Sequence, residues 1–564
     1  MGTREDTSKE RLIAGRSWSR GRGRPGAVFG GLALAMLSVL IPLACRSLVG
    51  ETRRPNVLLI CIDDLRPELS FLEATWARTP AIDELAAGGV AFRNHFAAVP
   101  TCGASRYALL TGRHPLRSGV TSGNSVFSEG PHALSRDESV GVRTLPERFR
   151  RAGWRTVCVG KVSHTPDGRV FAYDGSGDGR DELPGAWDAL ATPFGPWKRG
   201  WGAFFGYADG RHREDGSGYR AVMEFAATKD DALPDGLIAK AAAEQLAQLA
   251  TGGQPFFLAV GFSKPHLPFV ATRDDWQAVK SWNIGPAEHP QGPASAYTSN
   301  SGEFFGYRAP FGRVYGRGDV LDARAQVKMR RAYAACVRFV DRQVGRVLAA
   351  LDEQGLADDT IVVLWSDHGW HLGESAQWGK HTPFERAVRS PLIVRAPGVG
   401  EGGRVSDALV EATDVAPTLA ALCGLAGAVV PHGGGGAGAG GVGSEPSDTG
   451  GSVSARAAEA VPLAAPWDGA SLVPLLTGDG EALRDEAVSC WGSAVSVRTV
   501  GHRLIARRQG DGSFTDVELY ALTDGEDPLR DRADEQPELV AALLARVRER
   551  SRRPRRRANG RAPG

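Results

Sequence analysis

From Arg54 onward, short runs of consecutive apolar residues alternate with stretches whose apolar positions recur every three or four residues. The runs NVLLICID (56–63), TVCVG (156–160), FFLAVGF (256–262), TIVVLWSD (360–367) and PLIVRAPG (391–398) predict strands. Their nearly continuous apolar character is that of a parallel sheet covered on both faces. TPAIDELAAGG predicts a helix with Thr79 as N-cap, Pro80 at the first helical position and glycines at the end. Gln326–Gly355 predicts a longer amphipathic helix stopped by glycine. Alternation of this kind predicts an α/β domain, a large mostly parallel sheet flanked by helices, with its site at the carboxyl ends of the strands.

The pattern changes after DVAPTLAALCGL (414–425). The Gly/Ser-rich stretch 431–452 reads as a flexible insertion. Beyond WDGASLVPLL (467–476), the runs AVSVRT, HRLIAR and DVELYAL alternate and predict a small antiparallel sheet, and a helix follows over Pro537–Arg550. The expected organisation is therefore an N-terminal region (1–50), a catalytic-size α/β domain (53–425), the insertion (426–466), a C-terminal subdomain (467–550) and a basic disordered tail (551–564).

Charge refines the picture at the ends. The net charge of +2 conceals a basic N-terminus, with seven Lys/Arg against three Asp/Glu in Met1–Gly26, and a tail with nine Arg against one Glu in Arg546–Gly564. The body is therefore acidic, which argues against a nucleic-acid-binding surface. The uncharged stretch Ala27–Ala44 behind an Arg-rich flank has the layout of a secretory signal or an N-terminal membrane anchor, so export is expected, with membrane attachment through the N-terminus as one form of it. Cys45 ends that stretch where a lipoprotein would be cleaved, but Pro42 and Leu43 fit that pattern poorly.

Seven cysteines show no C-x-x-C or metal-knuckle spacing, and Cys61 and Cys158 sit inside strand-like runs as core residues. Cys102 differs. It opens an apolar helical run in VPTCGASRYALLTGRHP, four residues before Arg106, and is open to reading as packing, nucleophile or precursor.

Two strands end in acids: Asp63 and Asp64 after the first, Asp367 with His368 after the fourth. Adjacent carboxylates repel unless a cation lies between them, and this set suits a hard divalent ion, Ca²⁺ ahead of Mg²⁺. Either pair alone reads equally as a loop turn or helix cap. Lysine–histidine pairs recur beside other strand ends: Lys161 and His164, Lys264 and His266, Lys380 and His381. Such pairs offer point charges for an anionic substrate and imidazoles to move protons.

In this order and spacing, RPNVLLICIDDLRP, CGASRYALLTGRHP, GKVSH, KPHLPF, SDHGWHLGE and WGKHTPFE resemble the type I sulfatases of the alkaline phosphatase superfamily, most closely the iduronate-2-sulfatase branch. The resemblance spans roughly Arg54 to Leu425 and resumes at Trp467. It implies the alkaline-phosphatase-like fold and sulfuric ester hydrolysis of sulfated sugars or glycosaminoglycan-like polysaccharides. It also implies that a formylglycine-generating maturation enzyme oxidises Cys102 to formylglycine, whose hydrate, bound to Ca²⁺, attacks sulfur and forms a covalent sulfo-enzyme. By the same resemblance Asp63, Asp64, Asp367 and His368 join residue 102 as metal ligands, and Arg106 orients the diol. Lys161 and Lys380 hold the sulfate, His266 serves the departing alcohol, and His164 takes the proton that lets sulfate leave. Lys264 and His381 contact substrate or line the pocket. The sugar contacts are expected in the variable segments Asp167–Glu224 or Asp274–Arg317.

Two departures stand out: Ala104 replaces the family's usual proline, a tolerated minority form, and LGESAQWGK lacks the common His-Gly. The competing expectations are a phosphodiesterase or phosphonate hydrolase of the same superfamily, and a non-catalytic binder of anionic glycans in which Cys102 stays a thiol.

Overall fold

The computed structural model describes residues 54–552, apart from 73, 75, 135–141, 300–301, 308–320, 426–428, 431–460, 463–466 and 525–528. Strands β1 (Asn56–Ile62), β2 (Val90–Phe96), β3 (Arg155–Gly160), β4 (Ala189–Leu190), β5 (Phe256–Phe262), β6 (Thr360–Ser366), β7 (Leu392–Arg395) and β8 (Arg404–Glu411) form an eight-stranded sheet. Their order is β8-β2-β7-β6-β1-β5-β3-β4. The four most apolar strands take adjacent places: β1 is parallel to β5 and β6, and β3 to β5. β7 runs antiparallel to both β6 and β2, against the expectation of a parallel strand at PLIVRAPG. The chain reaches β7 from loops at the carboxyl edge without a crossover helix, so it can only return in the opposite sense.

β2 and β8 escape the sequence pattern. Arg93, Asn94 and His95 interrupt the first, and the second alternates half-buried and exposed positions before it enters the core.

The helices that matter to the site and the core are α1 (Pro80–Ala87), α2 (Cys102–Thr111), α3 (Pro234–Ala250), α4 (Gly302–Phe305), α5 (Ala323–Glu353), α6 (Val415–Leu422) and α7 (Pro537–Ser551). The period-2 geometry of β1 divides them between two layers. Leu58, Ile60 and Ile62 pack in one core with residues of α1, α3 and α5, whereas Val57, Leu59 and Cys61 pack in another with residues of α2 and α6.

α5 starts three residues before the expected helix, where Asp322 accepts a hydrogen bond from the Ala325 N–H (2.8 Å). It gives way to Gly355, whose φ of +66° leaves the helical region. Thr79 precedes α1 as expected but caps no backbone N–H. Its hydroxyl donates to Asp83 Oδ1 (3.1 Å), and the first-turn N–H of Ile82 is instead capped by Asp341 Oδ1 of α5 (2.9 Å).

The C-terminal portion is the expected small antiparallel sheet, with β9 (Ala487–Trp491) preceding β10 (Ala494–Arg498), β11 (His502–Arg508) and β12 (Phe514–Ala521). Leu543, Leu544 and Val547 of α7 cover one face of it. It joins the large sheet through the Cys490 N–H, which donates to the Ala98 carbonyl (2.8 Å), and through Arg550, which reaches buried Glu411 with both terminal nitrogens (2.7 Å each).

The six described cysteines are buried and unpaired. The apolar segment 27–44 with Cys45, the Gly-rich stretch 431–452 and the basic tail from 553 lie outside the described residues. Among the described residues no helix is long and apolar enough to cross a membrane.

Candidate active site

Because seven of the eight strands share one direction, β1, β2, β3, β5 and β6 deliver their following loops to one edge of the sheet. β1 ends in Asp63 and Asp64, both wholly buried. β6 ends in Asp367 and His368, and Asp367 Oδ1 accepts the Asp64 N–H (3.1 Å), which locks the two loops together. The chain from β2 leads into α2, whose first residue is Cys102. Gly103 is required there: a Cβ on it would come within 2.3 Å of the Asn124 carbonyl oxygen. Asn124 Oδ1 in turn accepts the Gly103 N–H (3.0 Å) and the Thr101 hydroxyl (3.1 Å), so Asn124 caps the helix that carries the cysteine.

Cys102, Asp63, Asp367 and His368 each place a ligand atom within 4.8 Å of the others, and Cys102, Asp64 and His266 form an overlapping group on the same limit. Asp63 Oδ1, Asp64 Oδ2 and His368 Nε2 are buried and make no hydrogen bond. His368 Nδ1 lies 3.0 Å from the Gly369 carbonyl, and a proton donated there leaves the Nε2 lone pair for a metal. Buried, unsatisfied carboxylate oxygens beside such an imidazole fit a divalent cation that is bound mainly by oxygen.

The positive groups surround this cluster. Lys161 Nζ meets Asp63 Oδ2 at 2.6 Å, and Lys380 Nζ meets Asp64 Oδ1 at 2.8 Å and Cys102 Sγ at 3.2 Å. Arg106 is wholly buried. Its Nε donates to Asp367 Oδ2 (3.0 Å), its Nη1 to the Lys161 carbonyl (2.5 Å), and its Nη2 lies 3.4 Å from Asp63 Oδ1.

Burial opposes charge throughout, and the opposing partners decide each outcome. Burial would raise Asp63, but Lys161, with smaller help from His266 and Arg106, holds its carboxyl well below the usual range. Burial pushes Asp64 up to about 7 despite Lys380. Burial would lower Lys380, yet Asp64 keeps the ammonium well above its ordinary value, and Asp63 raises Lys161 in the same way. Burial and then Asp63 push the Cys102 thiol far up, the reverse of what a thiolate nucleophile needs. Burial lowers both imidazoles, with Lys161 reinforcing the effect at His164 and Lys380 at His266.

The loop after β5 is built by hydrogen bonds. Asp235 of α3 accepts the N–H groups of Ser263 (3.0 Å) and Lys264 (2.7 Å). Lys264 Nζ donates to the carbonyls of His266 (2.7 Å) and Pro268 (2.8 Å). The ammonium of Lys264 thus bonds back to the backbone of its own loop. An ammonium with three donors satisfies these two carbonyls and so shapes the turn that presents His266. His266 Nε2 faces Asp64 Oδ2 and Glu303 Oε1, each at 3.8 Å.

His381 lies beside Thr101, its Nε2 3.3 Å from the hydroxyl, and stacks on Trp491 at 4.8 Å. His164 packs against Trp201 (5.3 Å), its Nδ1 is buried without a partner, and it lines a cavity of about 340 Å³.

Three contributors have no motif of their own. Trp201 and Phe204 form an aromatic wall between His164 and His266, with Phe204 4.8 Å from His266 and beneath Lys161 Nζ (4.2 Å). Glu303 Oε2 lies 3.4 Å from Lys380 Nζ. All three fall in the segments expected to carry sugar contacts, but only proximity in space singles them out.

The comparisons with known proteins agree with this geometry. The Sulfatase family profile matches residues 55–425. Iduronate 2-sulfatase of Homo sapiens is 31% identical over 436 residues, which cover 70% of this chain and 74% of that protein. A sulfatase of Formosa agariphila is 30% identical over 409 residues, 66% of this chain and 70% of its own. Among solved structures, the phosphonate monoester hydrolase of Agrobacterium radiobacter superposes with a TM-score of 0.62 at 22% identity, over 88% of this chain and 96% of that one. A protein solved in complex with its substrate D-glucosamine-2-N,6-O-disulfate superposes with a TM-score of 0.59 at 20% identity, over 88% and 98%. At those identities the structures establish the shared fold, and the family match with the relatives at 30% and above establishes the rest. The chain belongs to the sulfatase family, on the iduronate-2-sulfatase side of the alkaline phosphatase superfamily, and is a sulfuric ester hydrolase.

Proposed function

We propose that the protein is an exported sulfatase that removes sulfate from sulfated sugars of the glycosaminoglycan kind, using Ca²⁺ and a formylglycine made from Cys102 by a maturation enzyme. The observation that carries this reading is the meeting of Cys102 with Asp63, Asp367 and His368 within 4.8 Å, with Lys380 on its sulfur. Calcium held by Asp63, Asp64, Asp367 and His368 would supply Lewis-acid charge, and the hydrated aldehyde at position 102 would supply the nucleophile.

The chain's own residues do the rest. Lys161 and Lys380 hold the sulfate oxygens and offset the charge that gathers on the transferring group. Arg106, pinned between Asp63, Asp367 and the Lys161 carbonyl, fixes the orientation of residue 102. His266 gives a proton to the departing alcohol oxygen, and His164, on the far side of the Trp201–Phe204 wall, receives one from position 102. The wall keeps the two proton-transfer roles apart.

Mass spectrometry of the tryptic peptide Asn94–Arg106 tests the first step, and the expected result is the mass of formylglycine. A free thiol throughout, from a host with the maturation enzyme, would leave only a glycan-binding role. Rates on matched aryl sulfate and aryl phosphate test the second, with sulfate expected to be faster. A desulfation screen over heparin-, chondroitin-, fucan- and carrageenan-type oligosaccharides then identifies the polymer.

A further inference from the structure

Asp64, one of the carboxylates read above as a cation ligand, has a φ of +64°. That is the left-handed region, which a residue with a Cβ keeps only when its surroundings hold it there. Two hydroxyl groups hold the turn it makes. From α5, the Tyr333 hydroxyl donates to the Asp64 carbonyl (2.7 Å) and accepts the Arg66 N–H (2.9 Å). From the end of β6, Ser366 Oγ accepts the Leu65 N–H (3.0 Å) and donates to the His368 carbonyl (3.2 Å). Backbone groups of residues 64, 65 and 66 are thus tied to side chains distant in the chain, and the Ser366 tie runs on to His368, a second proposed ligand.

Both residues are wholly buried, and packing alone calls for neither hydroxyl. The Tyr333 ring lies in the core that β1 shares with α1, α3 and α5, edge-on to Phe269 (6.0 Å, 87°). A phenylalanine would fill the same space. Ser366 pairs with Ile62 through its backbone, which an alanine would keep. What the hydroxyls add is the conformation of the 64–66 turn. Asp64 Oδ1 meets Lys380 and Oδ2 makes no hydrogen bond, so the backbone has a large share in where this carboxylate points. A turn that relaxed out of the left-handed region would carry the carboxylate with it.

We propose that Tyr333 and Ser366 are positioning residues for the divalent cation. Their hydroxyls hold the turn so that Asp64 and the His368 backbone are set before the ion arrives. The inference rests on the reading of this cluster as a Ca²⁺ site, and adds to it two residues that touch neither ion nor substrate.

Tyr333→Phe and Ser366→Ala test it in the full-length protein, stripped of metal with a chelator and compared with wild type. Calorimetric titration reads the Kd for Ca²⁺, which is expected to rise about 10–100-fold in Tyr333→Phe and about 10-fold in Ser366→Ala, the usual loss when a group that orients a ligand is removed. The rise in melting temperature at a fixed Ca²⁺ concentration is expected to shrink in step. A merely structural role would lower the melting temperature equally with and without Ca²⁺ and leave the Kd at the wild-type value; that result overturns the proposal. Should Tyr333→Phe fail to fold, Ser366→Ala carries the test, and an unchanged Kd there is equally fatal. A wild type that takes up no Ca²⁺ would refute the cation reading itself, and the proposal with it, whereas normal uptake by wild type and both variants would refute the proposal alone.

Discussion

Lys380 Nζ lies 3.2 Å from Cys102 Sγ, a contact across 278 residues of chain, and the same ammonium lies 2.8 Å from Asp64 Oδ1. One buried charge therefore links Cys102 to the carboxylates at the strand ends. Lys161 does the equivalent for Asp63 at 2.6 Å. Lys380→Ala and Lys161→Ala are each expected to lower kcat/KM for an aryl sulfate by about 10²–10³-fold, the usual loss for one donor to a developing oxyanion. Steady-state kinetics at low substrate measures it, and near-wild-type values would place the sulfate elsewhere.

Asp63 Oδ1, Asp64 Oδ2 and His368 Nε2 are buried and make no hydrogen bond, so stripping a cation from them leaves these polar atoms unsatisfied in the core. Chelation is expected to abolish activity and to lower the melting temperature, with Ca²⁺ restoring both more fully than Mg²⁺. Calorimetric titration of the stripped protein with each ion provides a check independent of turnover. An unchanged melting temperature on chelation would count against a metal at this cluster.

Lys264 Nζ donates to the carbonyls of His266 and Pro268, and its proposed role is to shape that loop. Lys264→Met is expected to lower kcat by about 10–100-fold, because a catalytic group displaced by an ångström loses that much, while KM stays within about two-fold. A KM that rose in proportion to the loss in kcat/KM, with kcat preserved, would return Lys264 to the substrate contacts.

Two buried histidines outside the candidate site make stability depend on pH. Burial lowers His95 to about 4, and burial followed by Arg550 lowers His114 to about 4. Both are neutral in the fold. His114 Nδ1 accepts the Leu116 N–H (3.2 Å), so Nε2 carries the proton and donates it to the Val488 carbonyl (3.0 Å). Between about pH 6.5 and 4 the unfolded chain binds more protons than the folded one. Their contribution is therefore full above about pH 6.5 and is lost as pH falls toward 4, on the order of 3 kcal/mol for each. Denaturant titrations across that range should show a steeper decline for wild type than for the His95→Asn/His114→Asn double variant. Parallel curves would show that these imidazoles do not carry the effect.

Much of the site is legible in the sequence, because chemistry at a strand end interrupts an otherwise apolar run. Asp63, Asp64, Asp367 and His368 each follow such a run directly, and Cys102 and Arg106 share one face of a single helix. Lys264 too follows a strand and precedes a histidine, and nothing in the order of residues says that its side chain folds back onto its own loop. Trp201, Phe204 and Glu303 do not stand out as individuals, since they lie in segments without periodicity and matter only through what stands opposite them.

The amino-acid order by itself determined the central strands, the long helix α5, the residue types at the catalytic edge and the family. These follow from local burial patterns and from motifs a few residues long, where cause and consequence are neighbours in the chain. Only the tertiary structure decided that β7 runs antiparallel and that Asp341 caps α1 in place of Thr79, across 259 residues of chain. It alone decided, too, that Glu303 faces Lys380 and His266. Strand direction, distant caps and the charge opposite a given side chain are relations between parts of the chain that local propensity does not encode. They are set when the layers pack and each buried polar group must find its partner.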